Sequence, residues 1–215
     1  MKIGEPMKRV VDIILNNKRW IIVFIALLLF FSILEDVFEK EIMIIDTFVY
    51  EFAVEFLRND ILTIIMKFIT SFGNAIPVLL ISIIIIANSK DKKVPIWLIL
   101  NLVFATVLNQ ILKYIVQRNR PEGYRLIDES GYSFPSGHSM VSTAFYGFLI
   151  YLVIKKVKNK YLKNFLVILL SILIILIGFS RVYLGVHYAS DVIAGFFISI
   201  AYLILFITMI SDIKS

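Results

Sequence analysis

The sequence of 215 residues contains no cysteine and only two histidines, and its charged residues amount to 18%. Without cysteine there is no disulfide framework and no thiolate metal site, so any chemistry must come from oxygen and nitrogen groups. The shortage of charge, set against 60% hydrophobic residues and a mean hydropathy of +0.89, excludes an ordinary soluble domain of this length. A net charge of +6 would suit a nucleic-acid binder. Here, however, the basic residues sit mostly in short loops between apolar runs, which reads as membrane orientation and gives no reason to expect nucleic acid as a partner. Internal repeats and low-complexity tails are absent, so residues 1–215 read as one membrane domain.

Strand alternation is missing too, and lipid tolerates no open sheet edge, which leaves helix as the spanning form. The expected fold is an all-α integral membrane protein with six transmembrane helices and an external amphipathic segment. The apolar runs are 20–34, 68–87, 94–116, 139–154, 165–179 and 192–209. Each approaches the length of about 20 residues that a hydrocarbon layer demands, with flanking residues completing the shorter ones. The second run contains Gly73 and Pro77; the third carries Asn101, Asn109, Gln110 and Lys113. The first resembles a signal peptide, but Glu35, Asp36 and Phe38 follow it where small residues would mark cleavage, so it reads as a retained span.

Loop charges give the orientation. Residues 1–19, 88–93, 155–164 and 210–215 hold 14 basic and 4 acidic residues, against 8 basic and 12 acidic elsewhere. That bias, with an even number of spans, puts both termini in the cytoplasm and the polar clusters on the external side of the membrane. Residues 42–57, with Asp46, Glu51, Glu55 and Arg58 between apolar groups at helical spacing, read as an amphipathic helix near the outer interface. Residues 7–15 could lie similarly on the inner side.

Three clusters carry the chemistry. Lys113 and Arg120 are seven residues apart, two helical turns, and Pro121 ends the helix; two long cations on one face can grip a phosphate. Arg118 and Arg125 read as snorkelling anchors. In the second cluster, Pro135-Ser136-Gly137-His138, Ser136 suits an N-cap, and Gly137 leaves its N–H open at a helix start that favours an anion. Ser139 could add a donor, whereas Ser142 reads as packing. In the third, His187 and Asp191 are four apart, so Asp191 can take one ring nitrogen and leave the other as a lone-pair donor, with Arg181 reaching the same phosphate. Tyr183 and Tyr188 read as interfacial aromatics. The competing readings are a structural His–Asp bond with anchoring cations, and a metal set of His138, His187 and Asp191; the nearby cations oppose the metal.

Lys113-x6-Arg120-Pro121, Pro135-Ser136-Gly137-His138 and Ser180-Arg181-x5-His187-x3-Asp191 together resemble the motifs of the membrane-bound type 2 phosphatidic acid phosphatases. That family includes bacterial phosphatidylglycerophosphate and undecaprenyl pyrophosphate phosphatases. The resemblance implies hydrolysis of a lipid phosphate or pyrophosphate, with no metal or other cofactor and no obligatory protein partner. It implies His187 as the nucleophile, forming a phosphohistidine, Asp191 as its orienter and His138 as the acid. Lys113, Arg120, Ser136, Gly137 and Arg181 would hold the phosphate. Undecaprenyl pyrophosphate or phosphatidylglycerophosphate comes first as substrate; phosphatidate and lipid A phosphates are alternatives. The non-enzymatic alternative is a transporter of anionic lipids or ions.

Overall fold

The computed structural model describes residues 4–39, 43–123 and 125–212. These form α1 (Gly4–Phe38), α2 (Ile44–Glu51) running into a π-helical turn (Phe52–Leu57), α3 (Asp60–Ser71), α4 (Ala75–Asn88), α5 (Lys93–Val116), α6 (Gly137–Lys156), α7 (Lys160–Tyr183) and α8 (Ala189–Asp212). The chain is an all-α membrane protein. Five described helices are long and apolar enough to cross a bilayer: Asn17–Phe38 within α1, then α5, α6, α7 and α8. A sixth span exists if α3 and α4 count as one. Exposed Phe24, Phe31, Ile64, Ile84, Phe104 and Phe165 give these helices outer faces suited to lipid rather than water.

The run at 68–87 is therefore not one continuous helix. It breaks between Ser71 and Ala75, and α3 and α4 diverge by 51°. Pro77 is not the cause, since it lies in the first turn of α4, where its missing N–H goes unneeded. The break centres on Gly73: a Cβ there would come within 2.7 Å of His138 Cδ2 and 3.0 Å of Ile177 Cγ2, so the backbone itself occupies the gap. Residues 7–15 belong to continuous helix α1, and their side chains lie outside the described residues. The segment at 42–57, expected to be amphipathic, is helical from Ile44, residue 42 lying outside the described residues. Its apolar Ile44, Phe48, Phe52 and Phe56 are exposed, while Asp46 is turned inward and buried.

Helix α6 is the hub, packed against α5, α7 and α8, with α1 against α8 and α3 against α7. A core of Val78, Leu98, Phe145, Tyr146, Phe148, Ile177 and Phe206 joins α4 to α8. Buried polar groups fix the register of that packing. Asn101 Nδ2 donates to Ala144 O at 2.8 Å, Tyr202 OH to Asn101 O at 3.0 Å, and Asn109 Nδ2 to Pro135 O at 3.1 Å. The last turns of α5 and α7 and the first turns of α6 and α8 meet at one end of the bundle. That end holds the residues singled out from the sequence.

Candidate active site

Helix α5 stops before Pro121 is reached. Gln117 adopts a left-handed conformation (φ 52°) and its N–H returns to Lys113 O at 2.9 Å, a helix C-cap. Lys113 and Arg120 consequently share no helical face, contrary to the spacing argument. The chain turns after Gln117 and brings Arg120 back against the 130–133 strand of loop, where its Nε and Nη2 donate to Gly131 O (3.0 Å) and Ser130 O (2.9 Å). Lys113 Nζ donates to Tyr132 O in the same loop. Both cations line a cavity of about 400 Å³, together with Gly137, His138, His187, Asn109 and Glu129.

Ser136 caps α6 as its sequence implies, Oγ accepting from Ser139 N at 3.4 Å, and its own N–H donates to Asp191 O at 3.0 Å. Gly137 and His138 form the opening of α6, so the positive end of that helix dipole adjoins the cavity. Ser142 is buried and bonds back to Ser139 O, a packing role. His138 Nε2 lies 2.8 Å from Asn74 Oδ1, an acceptor supplied by the α3–α4 break.

His187 precedes α8, and Asp191 lies in its first turn, so the two are not helical neighbours. They still meet: Nδ1 is 3.4 Å from Asp191 Oδ2 and 3.2 Å from Ser133 Oγ. The opposite nitrogen, Nε2, is 3.1 Å from Arg120 Nη1. A guanidinium can only donate, so Nε2 holds a lone pair and Nδ1 carries the proton. Asp191 Oδ2 also accepts from Tyr188 N at 2.9 Å and Ser133 Oγ at 2.5 Å. Burial brings the His187 imidazole down to about 4, with Arg120 and Arg181 adding to the effect and Asp191 opposing it. The ring is thus neutral across the physiological range, with its Nε2 lone pair turned to the cavity side and accepting from Arg120.

Arg181 is fully buried; it donates to Thr70 Oγ1 at 2.8 Å and pairs with Glu129 through Nη2, while its Nε has no partner among the described residues. Glu129 also lies 4.0 Å from Arg120. The metal set of His138, His187 and Asp191 does not assemble, because the two rings face Asn74 and Arg120. Among the described residues no three His, Asp or Glu side chains come together to hold an ion.

The structure brings in five residues that motif reading left aside: Asn74, Ser133, Glu129, Arg118 and Asp46. Arg118 is no snorkelling anchor; its side chain is 11% exposed and pairs with Asp191 Oδ1 at 2.7 Å and Asp46 Oδ2 at 3.0 Å. Tyr183 is likewise not interfacial: it is buried, with its OH against Thr63 Oγ1 (3.0 Å) and the Asn59 backbone. Tyr188 lies beneath the Arg118 guanidinium, 4.1 Å from ring centroid to Cζ.

Comparison with known proteins returns the PAP2 superfamily over residues 95–215. Phosphatidylglycerophosphatase B of Bacillus subtilis (strain 168) is 38% identical over 150 residues, spanning 67% of this chain and 73% of that one. An undecaprenyl-diphosphatase of Sulfolobus acidocaldarius is 31% identical over 146 residues, 64% of this chain and 66% of that one. A crystal structure of a transmembrane PAP2-type phosphatidylglycerolphosphate phosphatase from Bacillus subtilis superposes with a TM-score of 0.78 at 28% identity, covering 92% of this chain and 98% of that one.

Proposed function

The chain belongs to the PAP2 superfamily, and from that premise we propose that it hydrolyses a lipid phosphate or pyrophosphate, without a metal ion, through a phosphohistidine on His187. The observation that carries this reading is the His187 ring. Its proton is held on Nδ1 by Asp191 and Ser133, while its lone pair on Nε2 adjoins Arg120 at the wall of a cationic cavity.

In the first step Nε2 attacks phosphorus, an N–P bond forms, and the P–O bond to the lipid breaks. The imidazolium that results is stabilised by Asp191, and His138 gives a proton to the departing oxygen. Asn74 accepts from His138 Nε2–H, so His138 acts as the imidazolium, its charge balanced by the bound phosphate; the Nδ1 proton goes to the leaving oxygen and the ring is left neutral, ready to serve as base in the next step. Lys113, Arg120, Arg181 and the N–H groups opening α6 at Gly137, with Ser136 setting that turn, hold the phosphoryl oxygens as charge builds. Glu129, which pairs with Arg181, gives way to the phosphate. Water then attacks the phosphohistidine with His138 as base, and inorganic phosphate leaves. The cationic lining does the electrostatic work of a metal ion and repels one.

The names of the relatives support phosphatidylglycerophosphate and undecaprenyl pyrophosphate as first candidates, with phosphatidate and lipid A phosphates behind them. Residues 1–215 act as a single domain. At the end of the bundle opposite the cavity, the α4–α5 loop holds Lys90 and Lys92, and the last turn of α6 with the loop after it holds Lys155, Lys156 and Lys158. That distribution supports cytoplasmic termini and an external site in the cell membrane. A passive transporter would use the cations but has no need of a tautomer-locked histidine.

The test is phosphate release by purified full-length protein in EDTA, with the three glycerolipid and polyprenyl substrates side by side. Release that disappears in His187→Ala is expected; release that survives that substitution would overturn the assignment.

A further inference from the structure

Behind the His187–Asp191 pair lies a second buried ion pair that the reaction described above does not use. Asp46, on α2, is 2% exposed. Its Oδ1 accepts from Ser190 N at 2.7 Å; its Oδ2 accepts from Ser190 Oγ at 2.8 Å and Arg118 Nη2 at 3.0 Å. Arg118 Nη1 in turn donates to Ser190 Oγ and to Asp191 Oδ1, both at 2.7 Å. We propose that Asp46 and Arg118 are positioning residues for the phosphoryl transfer: together they fix the Asp191 carboxylate so that only Oδ2 is left to hold the His187 ring.

The inference rests on the functional reading given above. Its physical basis is the division of labour at Asp191. Oδ1 is taken by Arg118, and Oδ2 collects Tyr188 N, Ser133 Oγ and His187 Nδ1. A carboxylate rotates easily about its last side-chain bond unless both oxygens are held. Arg118 is itself held from two sides, by Asp46 and by the Tyr188 ring. Asp46 also serves the open N–H of Ser190 in the first turn of α8, so one carboxylate aligns the helix that carries Asp191 and the cation that grips it. A buried ion network adds little net stability against apolar packing; its return is a single geometry.

Several charged groups face the pair. Lys113, Arg120 and Arg181 lie on the cavity side, with Glu129 paired to Arg181 and His138 on Asn74. Arg118 and Asp46 act from the opposite side of Asp191. Removing the Arg118 charge leaves Asp191 less neutralised and favours the protonated His187 ring; removing the Asp46 charge does the reverse.

The experiment measures kcat and KM for phosphate release from phosphatidylglycerophosphate across pH, using full-length wild type, Arg118→Gln, Arg118→Lys and Asp46→Asn. Arg118→Gln is expected to lower kcat about 10- to 100-fold with KM within about twofold, the scale of a misplaced reacting group. The acid limb of its kcat/KM profile moves up by about one pH unit. Arg118→Lys returns the limb towards wild type and recovers part of kcat. Asp46→Asn, nearly isosteric and able to keep its bond to Ser190 N, moves the limb in the opposite direction. A thermal melt of each variant accompanies the kinetics. A fall in melting temperature is expected of either variant, since each leaves a buried charge unpaired; limbs that stay in place in both charge-removing variants, or that shift in the same direction in both, would overturn the proposal and leave a structural pair. A raised KM in Arg118→Gln with kcat intact would overturn it in favour of substrate contact. Wild-type protein that releases no phosphate from any lipid phosphate would overturn the functional reading, and this proposal with it.

Discussion

Replacing Glu129 with glutamine removes the one acidic side chain that, among the described residues, lines the cationic cavity, while leaving an oxygen that can accept from Arg181. The Arg181 side chain is 1% exposed and that of Glu129 is 29% exposed. A fully buried pair broken at one partner loses about 3–5 kcal/mol, and an exposed pair under about 1 kcal/mol. With one buried partner, one partly open partner and the amide bond retained, the loss is about 1–2 kcal/mol. The empty protein bears that loss, since Glu129 occupies Arg181 there. A phosphate bound in its place does not, so phosphate binding gains the same amount. The inhibition constant for inorganic phosphate should fall by about 5- to 30-fold in Glu129→Gln. Melting temperature should drop in phosphate-free buffer and recover with added phosphate more than in wild type. The assay is competitive inhibition of lipid dephosphorylation by inorganic phosphate, with melts run in parallel. An unchanged or weakened affinity for phosphate would refute the displacement argument.

Two further outcomes follow from the same geometry. His187 is held down at about 4 by burial, against an ordinary 6.5. Its neutral form therefore persists above about 4 and is lost only as pH falls through that value, so the acid limb of kcat/KM should centre near 4 and not near 6.5. The same shift makes folding less favourable as pH falls from about 6.5 towards 4, because only the unfolded chain takes up that proton there; a limb near 6.5 would contradict the burial argument. Asn74→Ala removes the acceptor 2.8 Å from His138 Nε2. It should slow release from a lipid phosphate monoester about 10-fold while changing p-nitrophenyl phosphate hydrolysis far less, since that leaving group needs little protonation; equal losses on both would sink the role given to Asn74.

Much of the candidate site is legible from the sequence alone. Lys113, Arg120, His138, Arg181, His187 and Asp191 carry polar or charged groups at the edges of long apolar runs, where each is conspicuous. The residues that support them are not. Arg118 at a helix end has the same local signature as a lipid-anchoring cation, and only the return of α2 and α8 to it reveals two carboxylates. Asp46 falls on the polar side of a helix read as lying near the interface, and a helical wheel gives that side but not what covers it. Tyr183 and Ser133 are ordinary in sequence and acquire roles only through partners 120 and 58 residues away along the chain. Glu129 and Asn74 lie in a loop and at a helix break, where periodicity says nothing. The break itself had a signal in Gly73, but the reason for it, the His138 ring packed where a Cβ would stand, is tertiary.

The most direct test of the central claim is to trap the covalent intermediate. Full-length protein is mixed with a phosphorus-labelled lipid phosphate, quenched in alkali within the first turnover, and digested for mass spectrometry. The account predicts acid-labile, alkali-stable label on His187, absent from His187→Ala and, once formed, longer-lived in His138→Ala. Label on any other residue, or none while wild-type turnover proceeds with a slow second step, would contradict it.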